Sequence, residues 1–415
     1  MKKFFLSVIA IGALSIVASC SSDDDGPIVP VDPEPVNNVL TGQITTDLTL
    51  TKDVIWELRG RVTVTSGNTL TIQEGTIIKA QAGQEANASV LIIARGAKIE
   101  ANGTAAEPIV FTSAADNIAI GQTAGSNLGQ NDRGLWGGVI VLGKAKASLS
   151  GDALENQIEG IPASDSNGLY GGTDNADDSG TINFISIRHG GTSIGDGNEI
   201  NGLTLGAVGS GTSISNVEVV ANVDDGIEWF GGTVNVSNAL VWSCGDDALD
   251  IDEAYSGTIS NSVAILGNIS DHAMEIDGPA GSLEGSFTMN NITLIGNAET
   301  ENGEYADLRD RAMGSMNDFY VTGFKASSDV ELDNNAVAQN YLDGKISFSN
   351  WKVNLPVGVL EAKDIFVEKT GDGQMPIILN PTFTERAAAW ASAGTSGGAT
   401  LSTFSWTYAN SKGAF

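Results

Sequence analysis

A hexapeptide that occurs three times constrains this chain more than any other feature. Asp224-Asp225-Gly226-Ile227-Glu228-Trp229 returns as Asp246-Asp247-Ala248-Leu249-Asp250-Ile251 and as Asp271-His272-Ala273-Met274-Glu275-Ile276, at offsets of 22 and 25 residues. Repetition at a period of about 20–50 residues marks a solenoid, in which each repeat buries its apolar face against its neighbours. Between the hexapeptides, Asn216, Asn238, Asn261 and Asn291 recur at offsets of 22, 23 and 30, each beside Ser215, Ser237, Ser260 or Asn290. Asparagines stacked at one turn of successive coils can bond side chain to backbone and satisfy groups that a buried turn would strand. Residues 70–78 also align with residues 91–99 at an offset of 21. Elsewhere short β-branched runs alternate with Gly, Asn, Asp and Ser, with almost no helical periodicity. The expected fold is all-β, a right-handed parallel β-helix with one coil per repeat, forming a single domain over residues 40–415.

Residues 114–132 and 151–179 interrupt the pattern with Asn, Asp, Gly and Ser, and are expected to be loops that overhang a binding face. Near the C-terminus, Thr384 is expected to cap a helix through Trp390 that ends at Gly394 and covers the open end of the stack.

Strand alternation sends Ile227, Trp229, Leu249, Ile251, Met274 and Ile276 inward. It leaves Glu228, Asp250 and Glu275 as one outward column and Phe230, Asp252 and Asp277 as the next. No Lys or Arg occurs between Arg188 and Arg309, and those 120 residues carry 19 Asp or Glu, so no cation nearby in sequence offsets the columns. Coils lie about 4.8 Å apart, and two carboxylates at about 5 Å repel by roughly 3 kcal/mol at an effective dielectric of about 20. Ca²⁺ takes several carboxylate and carbonyl oxygens in flexible geometry and would relieve the repulsion. Its candidate ligands are Asp225, Glu228, Asp247, Asp250, Asp252, Glu275 and Asp277. Raised carboxyl pKa values, or side chains splayed into solvent, are the alternatives. Phe230, Tyr255 and Trp136 are candidate platforms for sugar rings. His189 reads as a turn residue and Cys244 as a small buried hydrophobe. A formal charge of −30 argues against a nucleic-acid partner, which needs clustered Lys and Arg.

Lys2 and Lys3 precede an apolar run and then Val17-Ala18-Ser19-Cys20, a secretory signal over residues 1–19 that is too short to span a bilayer. Those last four residues resemble the lipobox of bacterial lipoproteins, which implies a lipid on Cys20 and anchorage in the outer membrane. Asp23, Asp24 and Asp25 resemble an acidic tag that directs such proteins to the outer face. Pro27, Pro30, Pro33 and Pro35 favour an extended tether over residues 20–39.

Residues 199–257, with "RGLWGGVIVLGKA" and "SIRHGG", resemble a family of bacterial outer-membrane β-helix lipoproteins without an established activity. Asn222-Val223-Asp224-Asp225-Gly226 followed by Gly245-Asp246-Asp247 resembles the aspartate motifs of polygalacturonase-type glycoside hydrolases. That resemblance implies Asp225, Asp246 and Asp247 as catalytic carboxylates, with His272 one coil later. His272 lacks flanking glycines and no Arg-x-Lys motif follows, Arg309 and Arg311 being the nearest basic residues. The expected function is therefore Ca²⁺-dependent binding of a neutral or cation-bridged glycan at the cell surface, in uptake or adhesion, with an outer-membrane transporter as candidate partner. A polysaccharide-degrading enzyme is one alternative, and it requires Asp225, Asp246, Asp247 and His272 to converge in a cleft. A structural spacer or adhesin is the other.

Overall fold

Positive backbone angles at Asn216, Asn238, Asn261 and Asn291 (φ 52°, 57°, 48° and 58°) bend four successive strands at the same point. Asparagine tolerates this left-handed conformation better than most residues. One long strand, such as Ser213–Val220 or Asn235–Trp242, therefore serves two faces of a coil. A short strand makes the third face. There Leu203–Gly206, Ile227–Phe230, Leu249–Asp252, Met274–Ile276, Ala306–Leu308 and Val330–Leu332 stack in order and in parallel register. In the computed structural model, which describes residues 37–83, 87–195, 198–369 and 378–415, 24 strands join in this way. The result is a right-handed parallel β-helix, the hand that parallel crossovers adopt. The expected signal sequence, Cys20 and the expected tether up to residue 36 lie outside the described residues.

Alternation places the core as expected: Ile227, Trp229, Leu249, Ile251, Met274 and Ile276 all point inward and are buried. Up the stack, Asn216, Asn238 and Asn261 bond side chain to side chain rather than to the backbone of the turns. Asn238 Nδ2 donates to Asn216 Oδ1 (3.0 Å), Asn261 to Asn238 (2.6 Å), and Asn216 to Asn183 of the preceding coil (2.8 Å). The offset of 21 in the first coils is not a stacking register. Leu70 pairs with Leu48 and Ile99, while Leu91 pairs with Val62 and Val139, because residues 81–89 are added to that coil.

The C-terminal helix is shorter than expected and starts earlier. It spans Phe383–Ala387 and is capped by Thr382, whose hydroxyl accepts from Glu385 N while Glu385 accepts from Thr382 N. Thr384 instead donates to the Phe366 carbonyl, and the strand Ala391–Ala393 lies where the helix was expected to end. Phe383 packs among Phe348, Phe366 and Trp390 against the last coil.

The chain then runs back along the outside of the stack. Ala399 N donates to Thr293 Oγ1 (2.9 Å) and Thr400 N to Asn261 Oδ1 (2.7 Å). Further on, Tyr408 N and Ala409 N donate to the two oxygens of Glu218 (3.1 and 2.8 Å). Outward-facing Val220, Leu240, Trp242, Val263 and Ile265 are covered in this way by Ala399, Phe404, Tyr408 and Ala409. Glu218 is fully buried and also accepts from Ser186 Oγ (2.5 Å), while the Arg188 guanidinium sits 4.5 Å above the Tyr408 ring. Left bare, the strip would be a contiguous apolar patch of the kind soluble surfaces avoid.

Candidate functional site: a carboxylate groove on the short-strand face

The turn that enters each short strand carries the acidic pair of the repeat. Asn222 braces the first of these turns, donating from Nδ2 to the carbonyls of Asp225 (2.8 Å) and Ile200 (3.2 Å). Gly226 permits close stacking, since a Cβ there would meet Val241 Cγ1 at 2.3 Å and Ala248 O at 2.6 Å. Asp225 Oδ1 accepts the Asp247 N–H (2.9 Å), and Asp247 Oδ1 accepts the His272 N–H (2.8 Å) and lies 2.8 Å from His272 Nδ1. Each turn is thus tied to the next by a carboxylate.

These turns and strands open onto a groove of about 500 Å³. Asp225, Asp246, Asp247 and His272 all line it, the convergence that the enzyme alternative requires. Glu228, Asp250 and Glu275 follow one another in register on its floor. They point away from the core as expected, but Glu228 and Asp250 are only 5% and 8% exposed, so they are not splayed into solvent. Asp225, Glu228 and Asp250 each bring one oxygen within 4.8 Å of the others. Asp250 Oδ1 is buried with no hydrogen-bond partner.

Burial first, and the neighbouring negative charges second, push the carboxyls of Asp225, Glu228 and Asp250 well above the usual range. Burial and the Asp225 charge lift Asp224 to about 10, whereas burial and Asp247 lift Asp246 only to about 6. Burial lowers His272, but the Asp247 hydrogen bond and the surrounding carboxylates outweigh it and hold the imidazole at about 9.

Of the remaining expected ligands, Asp247 and Glu275 also line the groove, where with His272 they form a second set of groups within 4.8 Å of one another. Asp247 is engaged by His272, and Glu275 is ion-paired to Arg309. Asp252 and Asp277 line a separate cavity of about 530 Å³ with Glu253, Asp310 and Arg311. The expectation that no cation offsets the columns is corrected by the stacking. Arg309 is remote from Glu228 and Asp250 in sequence, yet it reaches Glu275 and bonds Asp277 at 3.0 Å.

Two of the three aromatic platforms are interior. Trp136 is fully buried and donates from Nε1 to the Arg188 carbonyl (2.7 Å). Tyr255 is likewise buried and donates to the Val234 carbonyl (2.6 Å), turned inward by the left-handed backbone of Glu253 and Ala254. Phe230 is half-buried 6.0 Å from the Tyr170 ring, outside the groove lining. None of residues 114–132 lines the groove either. That loop lies on the other side, where Leu128 O accepts from Tyr408.

Sequence reasoning did not single out Glu159, Glu199, Asp224 or Asp271, which line the groove, or Asn201, which is buried beside it. Asn201 occupies the Asp225 position of the coil before, and Asn201-Gly202-Leu203-Thr204-Leu205 is legible as a fourth, degenerate copy of the repeat. Its Nδ2 donates to Glu159 Oε1 (3.0 Å) and to Glu228 Oε2. Glu159 comes from the inserted loop, where no periodicity points to it.

Fold and groove together define a parallel β-helix with a lateral carboxylate site. The chain belongs to the family of pectate-lyase-like β-helix domains, whose model matches residues 42–409. No curated protein and no solved structure matches it.

Proposed function

We propose that the groove binds a glycan with the help of a Ca²⁺ ion held by Asp225, Glu228 and Asp250. The observation that carries this reading is the unpartnered, buried Asp250 Oδ1 beside two further carboxylates within 4.8 Å. A buried acceptor without a partner costs about 1–3 kcal/mol, and a hard cation with oxygen ligands would satisfy it while cancelling the mutual repulsion. Family membership and an open groove favour a carbohydrate as the larger ligand. The test is thermal melting: Ca²⁺ should raise the melting temperature and chelator lower it, and Na⁺ at matched ionic strength should do much less. Equal responses to both ions would reject the site.

The lipobox at Val17-Ala18-Ser19-Cys20 and the acidic residues after it support display on the outer face of a bacterial outer membrane, in uptake or adhesion beside a transporter. Proteinase added to intact cells should then remove the body. Survival on intact cells with cleavage in lysates would reject surface display.

A second reading, glycosidic cleavage, is favoured by the convergence of Asp225, Asp246, Asp247 and His272 on one groove. Asp224, held protonated at neutral pH, and Asp246, ionised above about 6, supply an acid and a nucleophile. One oxygen of each lies within 4.8 Å of the other, closer than the about 6.5–9.5 Å that seats a water between carboxyls, so cleavage would retain configuration. Reducing-end release from polysaccharides that disappears in Asp246→Asn would establish it, and no release from neutral or acidic polymers would reject it.

A further inference from the structure

Glu159 enters the groove from a segment unrelated to the repeat. Its loop is fixed by its own small apolar cluster, in which Ile158, Ile161 and Tyr170 pack on Ile140 and Leu142 of the stack and on Ile200 of the short strand pair beside it. Asn156–Gln157 pairs with Leu169–Tyr170, and Tyr170 donates to both oxygens of Glu253 (2.9 and 2.8 Å). Gly160 lets the loop settle, since a Cβ there would meet Ile200 Cγ1 at 2.6 Å, in a backbone conformation (φ 71°) that other residues disfavour. The side chain just before it is therefore delivered to a defined place. There a single amide nitrogen, Asn201 Nδ2, holds Glu159 Oε1 and Glu228 Oε2 together.

A glutamine at 159 would keep the Asn201 contact without charge. The loop instead sets a fourth carboxylate beside Glu228, one of the three that already lie within 4.8 Å of one another. We propose that Glu159 is a further ligand of the cation site, so that the bound ion fastens the inserted loop to the helical stack. This rests on the Ca²⁺ reading of Asp225, Glu228 and Asp250, and it adds a ligand from a second chain segment. Four carboxylates suit an ion that takes 6–8 oxygens, the open groove leaving room for water or ligand hydroxyls in the other positions.

The experiment is isothermal titration of the protein with CaCl₂ at neutral pH, for wild type, Glu159→Gln and Glu155→Gln. Glu155 lies in the same loop but pairs with Arg95 (2.7 Å) outside the groove lining, so its variant makes the same change of charge away from the ion. Loss of a charged ligand should weaken Ca²⁺ binding about tenfold or more in Glu159→Gln and leave Glu155→Gln within about twofold of wild type. Ca²⁺ should also protect the exposed Leu154 region from protease in wild type and not in Glu159→Gln. In chelator Glu159→Gln should melt no lower than wild type, since Gln retains the Asn201 contact and removes one acidic group from the cluster. Equal Ca²⁺ affinity in wild type and Glu159→Gln would overturn the fourth ligand and leave the other three standing. Early melting of Glu159→Gln in chelator would make the residue a structural one and overturn it too. No Ca²⁺ binding by wild type would overturn both readings.

Discussion

Replacing Asp250 by Asn removes one charge and almost no volume from the most crowded point of the groove. Asp250 stands in register between Glu228 and Glu275, and one of its oxygens is buried without a partner. With oxygens of Asp225 and Glu228 within 4.8 Å, each ionised pair costs about 3 kcal/mol at an effective dielectric near 20. Protons already relieve part of this, because burial raises all three carboxyls. The net gain from Asp250→Asn without metal is therefore about 2 kcal/mol, from lost repulsion and from removal of the unpartnered buried carboxylate oxygen. An unfolding entropy of about 2.1 cal/mol/K per residue over roughly 370 residues converts that into a rise of about 2–3 °C. Free Ca²⁺ at about 100 times Kd stabilises wild type by roughly 2.7 kcal/mol, or about 3 °C, which the variant should mostly forgo. Calorimetry in chelator should thus rank the variant above wild type, and excess Ca²⁺ should erase or invert the order.

The pH dependence has a fixed sign. Carboxyls whose folded pKa is raised contribute stability that is present below the unfolded value of about 4 and is lost as pH rises through the folded values. The advantage of Asp250→Asn should accordingly shrink as pH falls toward 5, where protons neutralise the same cluster. A variant that melts below wild type in chelator, or that gains as much from Ca²⁺, would refute this reasoning.

Other substitutions separate structural from ligand-binding roles. Tyr255→Phe, which removes the bond to the Val234 carbonyl, should cost about 1 kcal/mol in a denaturant melt and leave glycan binding unchanged. Tyr408→Ala opens the C-terminal strap above Arg188 and the apolar strip, and should cost about 3–5 kcal/mol with increased binding of a hydrophobic dye. His272, raised to about 9, contributes stability that is full below about 6.5 and is lost as pH rises through 9. His272→Gln should therefore flatten that part of the decline when melting is followed from pH 6 to pH 10.

The coil architecture was legible because the chain repeats itself. Inward Ile227 and Trp229, the Asn216 corner and the Glu228–Asp250–Glu275 column all follow from alternation and a fixed period. What the repeat does not encode stayed hidden. Glu159 arrives through an insertion, and Arg309 enters the column because longer coils carry it there, although the acidic stretch before it holds no Lys or Arg. Glu218 looks like an ordinary outward carboxylate until Tyr408 and Ala409, 190 and 191 positions away, fold over it. Trp136 and Tyr255 were misjudged because ring chemistry alone does not distinguish a sugar platform from a core residue. Their hydrogen bonds to the carbonyls of Arg188 and Val234 make that distinction.

Ca²⁺-dependent glycan recognition is tested most directly by a glycan array probed with the full protein in Ca²⁺ and again in chelator, with Asp225→Asn alongside. Saturable binding to a defined set of glycans is expected in Ca²⁺, with loss of signal in chelator and in the variant. Binding that persists unchanged in chelator, or no glycan binding under either condition, would contradict the assignment of the groove.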